Sequence, residues 1–155
     1  MKKLLLVFIL FITITTSAQH QFNISVDVKN LIIGSEPTQN NPALDLTLTY
    51  KVRQNNFELL LTSELFPTID YYDYTIGVGF YQGQKFVKYA NFNVGQIIRG
   101  NVGFGNYEMN IGLEYYFNKI GFGIETNINR RIDLHVMYDV YQPVITNNVT
   151  IIYKL

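Results

Sequence analysis

Apolar and polar residues alternate along this chain in segments of seven to eleven residues. A period of two describes β-strands whose two faces meet different surroundings. Phe22–Lys29 sets Phe22, Ile24, Val26 and Val28 against Asn23, Ser25, Asp27 and Lys29. Leu44–Arg53 sets Leu44, Leu46, Leu48, Tyr50 and Val52 against Asp45, Thr47, Thr49, Lys51 and Arg53. Phe57–Glu64 is less clean, because Leu60 falls among the polar residues. In Tyr72–Tyr81, Tyr72, Tyr74, Ile76, Val78 and Phe80 oppose Asp73, Thr75, Gly77 and Gly79. Tyr107–Phe117, Ile120–Asn129, Ile132–Tyr141 and Val149–Leu155 follow. Lys85–Gly95 is the weak member: Lys88 shares a face with Ala90, Phe92 and Val94, which calls for a bulge near Ala90 or a wet edge. No stretch shows helical spacing, so the expected fold is all-β.

Connections of two kinds alternate down the chain. Gln54-Asn55-Asn56, Gln82-Gly83-Gln84 and Asn118-Lys119 have the composition of hairpin turns. Between them lie longer links: Ile32–Ala43 with Pro37 and Pro42, Phe66–Tyr71 with Pro67, and the glycine-bearing Gln96–Gly105. Short turns at one end and longer loops at the other are the habit of membrane-spanning barrels. Nine strand candidates result, whereas a barrel with both termini on one side needs an even number. The region Arg130–Asn148, with Arg130-Arg131 and Pro143, is where the count is open; eight strands is the expected total, ten the alternative.

Residues 1–18 read as an export signal: Lys2 and Lys3, the apolar run Leu4–Ile14, and Thr16-Ser17-Ala18 before a cleavage point at Gln19. The apolar run is too short to cross a bilayer as a helix, which takes about 20 residues. Gln19–Leu155 is then a single domain. Beyond Lys2 and Lys3, ten Lys/Arg face twelve Asp/Glu, a balance that attracts neither nucleic acid nor an anionic surface. The absence of cysteine rules out disulfides, thiol nucleophiles and thiolate-bound zinc.

A soluble sandwich would bury the same apolar faces against each other, so alternation alone does not place the chain in lipid. Three features favour lipid. Tyr50, Tyr72, Tyr74, Tyr107, Tyr115, Tyr138 and Tyr153 lie on apolar faces, mostly near segment ends. A dry core would have to partner every hydroxyl, whereas a lipid-facing band places them at its wet rims. The polar faces carry Gly77, Gly79, Gly112, Gly121 and Gly123, which weaken a solvated strand but make room inside a narrow barrel for neighbours such as Tyr81 and Tyr116. Segments of about ten residues also match a tilted crossing of a bilayer.

In this pattern the chain resembles the small outer-membrane β-barrel proteins of the OmpA/OmpX type, in the versions common in Bacteroidetes. The resemblance covers nearly all of Gln19–Leu155. Its most specific parts are Tyr107–Phe117, the Asn118-Lys119 turn and the last strand. It implies an antiparallel up-and-down transmembrane barrel in the outer membrane of a Gram-negative cell, in contact with lipid and lipopolysaccharide. In the family the last strand typically ends in an aromatic residue read by the barrel-assembly machinery. Here the ending is Ile152-Tyr153-Lys154-Leu155, which assigns that role to Tyr153 or weakens it.

Chemistry is sparse. His20 and His135 are the two histidines. His20 reads as a flexible terminus. His135, with Asp133 and Asp139, would be a polar group in a filled lumen sooner than a general base. Lipid A deacylases of similar size carry a His-x-Ser pair; His135-Val136-Met137 lacks the nucleophile. The inward carboxylates Asp45, Glu58, Asp73, Glu108, Glu114, Glu125 and Asp133 face few inward bases, among them Lys51, Arg53 and Arg130. No spacing among them focuses several on one point, so a hydrogen-bonded network is expected. No residue is therefore assigned as catalytic, cofactor-binding or metal-binding.

An eight-stranded interior is filled by side chains. The expectation is a non-enzymatic outer-membrane protein that acts structurally or through binding and adhesion by loops, chiefly Ile32–Ala43 and Gln96–Gly105. The alternative is a soluble periplasmic or secreted β-barrel holding a small apolar ligand.

Overall fold

The computed structural model describes residues 18–32, 44–66 and 71–155. The expected export signal, except Ala18, therefore lies outside the described residues, as do most of the Ile32–Ala43 link and the Pro67 link. Eight strands close into one barrel: β1 (Gln19–Asp27), β2 (Leu46–Gln54), β3 (Phe57–Phe66), β4 (Tyr71–Gln82), β5 (Phe86–Arg99), β6 (Val102–Phe117), β7 (Ile120–Arg131) and β8 (Val144–Lys154). Each pairs antiparallel with its neighbour in sequence, and β1 pairs with β8 from Gln21↔Lys154 to Asp27↔Asn148. Two short helices sit at one end, α1 (Val28–Ile32) and α2 (Ile132–Tyr138). Among the described residues no helix is long and apolar enough to cross a membrane, a statement that leaves strands untouched.

The turn end of the barrel follows from local chemistry. Asn55 and Asn56 both take positive φ, 51° and 68°, the signature of the mirror-image turn whose twist suits a two-residue hairpin. Asn118, at φ 61°, opens the β6–β7 turn. These are the turns expected from sequence.

Three expectations need correction at the other end, the mouth. The ninth strand candidate, Ile132–Tyr141, begins with a helix. A run of ten residues is too short for its period to separate strand from helix. Asp133 in the first turn suits the helix N-terminus, and Asp139, left-handed at φ 58°, ends the helix with its N–H bonded to the His135 carbonyl at 3.1 Å. The strand count is thereby eight. Second, Gln96–Gly105 is not a long link: β5 runs to Arg99, β6 starts at Val102, and Gly100 (φ 56°) with Asn101 makes a tight turn. Its neighbouring glycines lie within strands. Third, Val28 and Lys29 leave β1 and begin α1.

The weak segment has no bulge. The β4–β5 and β5–β6 ladders run unbroken through Ala90, and Lys88 is exposed on the end rung with β4, two residues in from Phe86, at the turn end. The edge reading holds.

Burial is inverted relative to a water-soluble domain. Phe80 and Ile124 are 62 % and 58 % exposed on the outer face, whereas Lys51 and Arg53 inside are 1 % and 2 % exposed. Aromatic rings ring the outside at both ends. At the turn end Phe57 meets Phe80 (4.7 Å between centroids) and Phe117 meets Tyr115 and Phe122 (4.7 and 6.5 Å). At the mouth the ring residues are tyrosines, Tyr72, Tyr74 and Tyr107. That division fits a band of hydrocarbon between two wet interfaces.

Candidate functional site

Because strands alternate, each inward position is a polar residue aimed at its counterparts across a narrow lumen. In the half nearer the turns, Arg53 of β2 is the hub. Its Nε lies 2.5 Å from Glu58 Oε2; Nη1 lies 2.5 Å from Glu114 Oε2, 3.0 Å from Gln21 Oε1 and 2.9 Å from the Tyr116 hydroxyl. Nη2 donates to Glu114 Oε1 at 3.1 Å, and Lys51 Nζ reaches the same oxygen at 3.2 Å. Rings complete the shell: Lys51 lies 3.8 Å from the centroid of Tyr89, and Lys154 lies 3.5 Å from that of Tyr116. Tyr89 donates to Glu125 Oε2 at 2.7 Å. Small residues admit these rings, as the sequence anticipated: a side chain on Gly121 would meet Tyr116 at 2.7 Å, and one on Gly112 would meet Tyr89 at 2.3 Å.

In the half nearer the mouth, acids and amides replace bases. Glu64 (β3), Asp73 (β4) and Glu108 (β6) each bring one oxygen within 4.8 Å of the others. This corrects the expectation that no acids converge: Glu64, absent from the expected inward set, lies on the same face of β3 as Glu58 and Leu60. Leu60 itself is buried in the lumen. Asn106 donates to Asp73 Oδ2 and, at 2.9 Å, to Glu108 Oε1. Asn129 and Asn93 donate to Glu108 at 3.2 and 3.1 Å. Between the two halves lies a cavity of about 20 Å³, lined by Lys51, Leu60, Glu64, Asp73, Thr75, Glu108 and Asn110 among others.

At the mouth a second cavity of about 450 Å³ is lined by Asp27, Asp45, Glu64, Tyr71, Arg99 and Arg131, with Leu134 and Tyr138 from α2. Arg131 holds Asp133 through Nε (3.1 Å) and Nη2 (2.7 Å), and Arg99 approaches the same carboxylate at 3.4 Å. The inward base is thus Arg131; Arg130, expected inside, is exposed on the outer face. Burial pushes the Asp45 carboxyl above the ordinary carboxylate range, aided by the charge of Asp27 and opposed by the hydrogen bond from Asn30 Nδ2 at 2.9 Å.

The histidines depart from expectation. His20 is no loose terminus: it belongs to β1, with Nδ1 2.6 Å from the Tyr50 hydroxyl. His135 is exposed on α2, its ring 4.1 Å from that of Tyr141, so it neither enters the lumen nor meets Asp133, which is buried against Arg131. Tyr138 likewise belongs to α2, while the other six tyrosines of the expected set face outward.

No family model matches the sequence, and no curated protein matches it. Two solved structures are similar to this chain. The outer membrane protein Ail of Yersinia pestis, determined in a phospholipid bilayer nanodisc, superposes with a TM-score of 0.57 at 10 % identity, over 90 % of this chain and 100 % of that one. Neisserial surface protein A (NspA) gives a TM-score of 0.42 at 9 % identity, over 89 % of this chain and 94 % of that one. The chain has the closed, up-and-down eight-stranded fold of a small outer-membrane β-barrel.

Proposed function

We propose that this protein is a non-enzymatic integral protein of the outer membrane, reached by way of the export signal at residues 1–18, whose lumen is closed to solutes and whose contacts with the medium are made at the mouth. The observation that carries this reading is the inverted burial: oily residues cover the outside and polar and ionisable ones fill the inside. Leaving that outer surface to water would forfeit about 25 cal/mol for each Å² of it. The same inversion counts against the soluble alternative, because an apolar ligand needs an apolar interior and this one is lined by Lys51, Arg53, Glu58 and Glu114.

The closed lumen is supported by strand order. β2 and β6 stand on opposite sides of the eight-membered ring, and Arg53 spans it to Glu114. Contact with other molecules falls to the mouth, where α2 and the residues after it expose Val136, Met137, Tyr138 and Tyr141. Loops on a rigid barrel are where binding is carried. Outer-leaflet lipid and lipopolysaccharide are the neighbours this reading implies, with Arg130 exposed beside Tyr107 on the outer face of the mouth.

Expression of the full chain, followed by high-salt and carbonate washing of the membranes, tests the placement. Retention in the pellet, together with a band that migrates differently before and after boiling, is the expected result. Monodisperse material in detergent-free buffer would overturn it. Planar-bilayer recording should find no conductance from the folded protein.

A further inference from the structure

We propose that Glu64, Asp73 and Glu108 form a binding site for a single hard divalent cation, of the calcium class, inside the mouth half of the barrel. Register makes the juxtaposition deliberate in geometry: Glu64 and Asp73 are direct cross-strand partners on β3 and β4, and Glu108 reaches them from β6. Like charges placed directly opposite destabilise a sheet unless something positive lies between them. Neighbouring bases are engaged elsewhere. Lys51 binds Glu114 and stacks on Tyr89, and Arg131 grips Asp133.

Amides donate to two of the three acids. Glu108 receives amide N–H groups from Asn93, Asn106 and Asn129, and Asp73 receives one from Asn106 and the Tyr71 hydroxyl at 3.3 Å. Donors on this scale favour carboxylates that carry their charge. What is left over is oxygen. Asp73 Oδ1, Thr75 Oγ1 and Asn110 Oδ1 are buried and without a hydrogen-bond partner, and all three residues line the 20 Å³ cavity that also receives Glu64 and Glu108. Thr75 and Asn110 are only 7 % and 5 % exposed and belong to no acidic cluster, so their orphaned oxygens are an independent sign that this space takes a positive guest.

The donor chemistry selects the ion. Carboxylate, amide and hydroxyl oxygens with no nitrogen or sulfur ligand suit a hard cation. An irregular set drawn from β3, β4 and β6 suits calcium, which accepts variable geometry, better than magnesium, which requires a near-ideal octahedron. A space of 20 Å³ holds one ion or one water and no larger guest. Glu64 also lines the larger cavity at the mouth, together with Asp27, Asp45 and the bases Lys29, Arg99 and Arg131, so it borders both spaces.

Terbium luminescence tests this directly, because the chain has no tryptophan and Tyr71 lies against Asp73 as the antenna. The folded protein, stripped with a chelator, should bind terbium one to one with tyrosine-sensitised emission, and calcium should displace it. Asp73→Asn and the milder Glu64→Gln should each weaken binding about tenfold or more, since affinity follows ligand charge. Asp139→Asn, on the exposed end of α2, should leave it unchanged. Absence of saturable emission from the folded wild type would overturn the proposal, as would an affinity for terbium unchanged in Glu64→Gln; protons shared among the acids would then account for the cluster. Calcium should also raise the temperature at which the compact gel band is lost, in the wild type and not in Glu64→Gln.

Discussion

Arg53 and Glu114 face each other across the full width of the barrel, joined by contacts of 2.5 and 3.1 Å with neither side chain more than 1 % exposed. Lys51 shares Glu114, and Glu58 shares Arg53. A tie of this kind is held by its completeness. Removing one partner strands the other charge out of reach of water. Arg53→Leu should cost about 3–5 kcal/mol, because it orphans Glu58 and leaves Glu114 with Lys51 as its one cationic partner. Urea titration of the folded gel band would measure it. The double variant Arg53→Leu with Glu114→Leu should lose less than the sum of the single changes.

The lipid band makes a graded prediction. Ile76, 59 % exposed, sits midway along β4, while Phe80 lies near the turn end beside Phe57. Ile76→Arg should cost about 2–4 kcal/mol and Phe80→Arg about 0–1 kcal/mol for the charge itself, if hydrocarbon covers the first and an interface the second. Equal costs measured by folding into vesicles would speak against a bilayer.

Gly112 and Tyr89 test interior packing. A Cβ on Gly112 would lie 2.3 Å from the Tyr89 hydroxyl, so Gly112→Val should force the ring off Glu125 and away from Lys51. Overpacking of this sort costs about 1–3 kcal/mol. Truncating the ring in Gly112→Val with Tyr89→Ala should recover part of the steric term, read as a higher urea midpoint than additivity allows.

Asp45 gives the mouth a pH dependence. Its native affinity for a proton is raised by burial, so the folded state favours the protonated acid more than the unfolded chain does. The resulting stabilisation is present in acid, below the ordinary carboxylate range near pH 3.9, and is lost as pH rises through the raised native value. Asp45→Asn should therefore be more stable than the wild type near pH 7, with the advantage shrinking near pH 3. Unfolding midpoints at the two pH values would show it, and an advantage independent of pH would argue against the cause.

Much of the architecture was legible because one physical rule, alternation, governs all eight strands and the lumen. The Asn55-Asn56 and Asn118-Lys119 turns were equally legible, since positive φ has few residue solutions. The mouth was not. Ile132–Tyr138 alternates passably as a strand, and the helix emerges because β7 has already completed its crossing at Arg131 and Asp133 is drawn back to it. Of the glycines in Gln96–Gly105, Gly100 does serve a turn, but Gly103 marks tight strand packing, where a Cβ would lie 2.2 Å from Gln96 Nε2. The acidic trio was hidden for a different reason. Glu64, Asp73 and Glu108 meet only through register, and one-strand reading has no access to which rungs of separate strands coincide.

The pairing of β1 with β8 has a consequence for how this molecule is made. A chain halted anywhere before Val144 leaves the first strand's backbone groups bare along one side and those of the last finished strand bare along the other, and hydrocarbon cannot satisfy either. Half-built intermediates thus have no comfortable resting place in lipid, and biogenesis should proceed to full closure or end in clearance of the unfinished polypeptide.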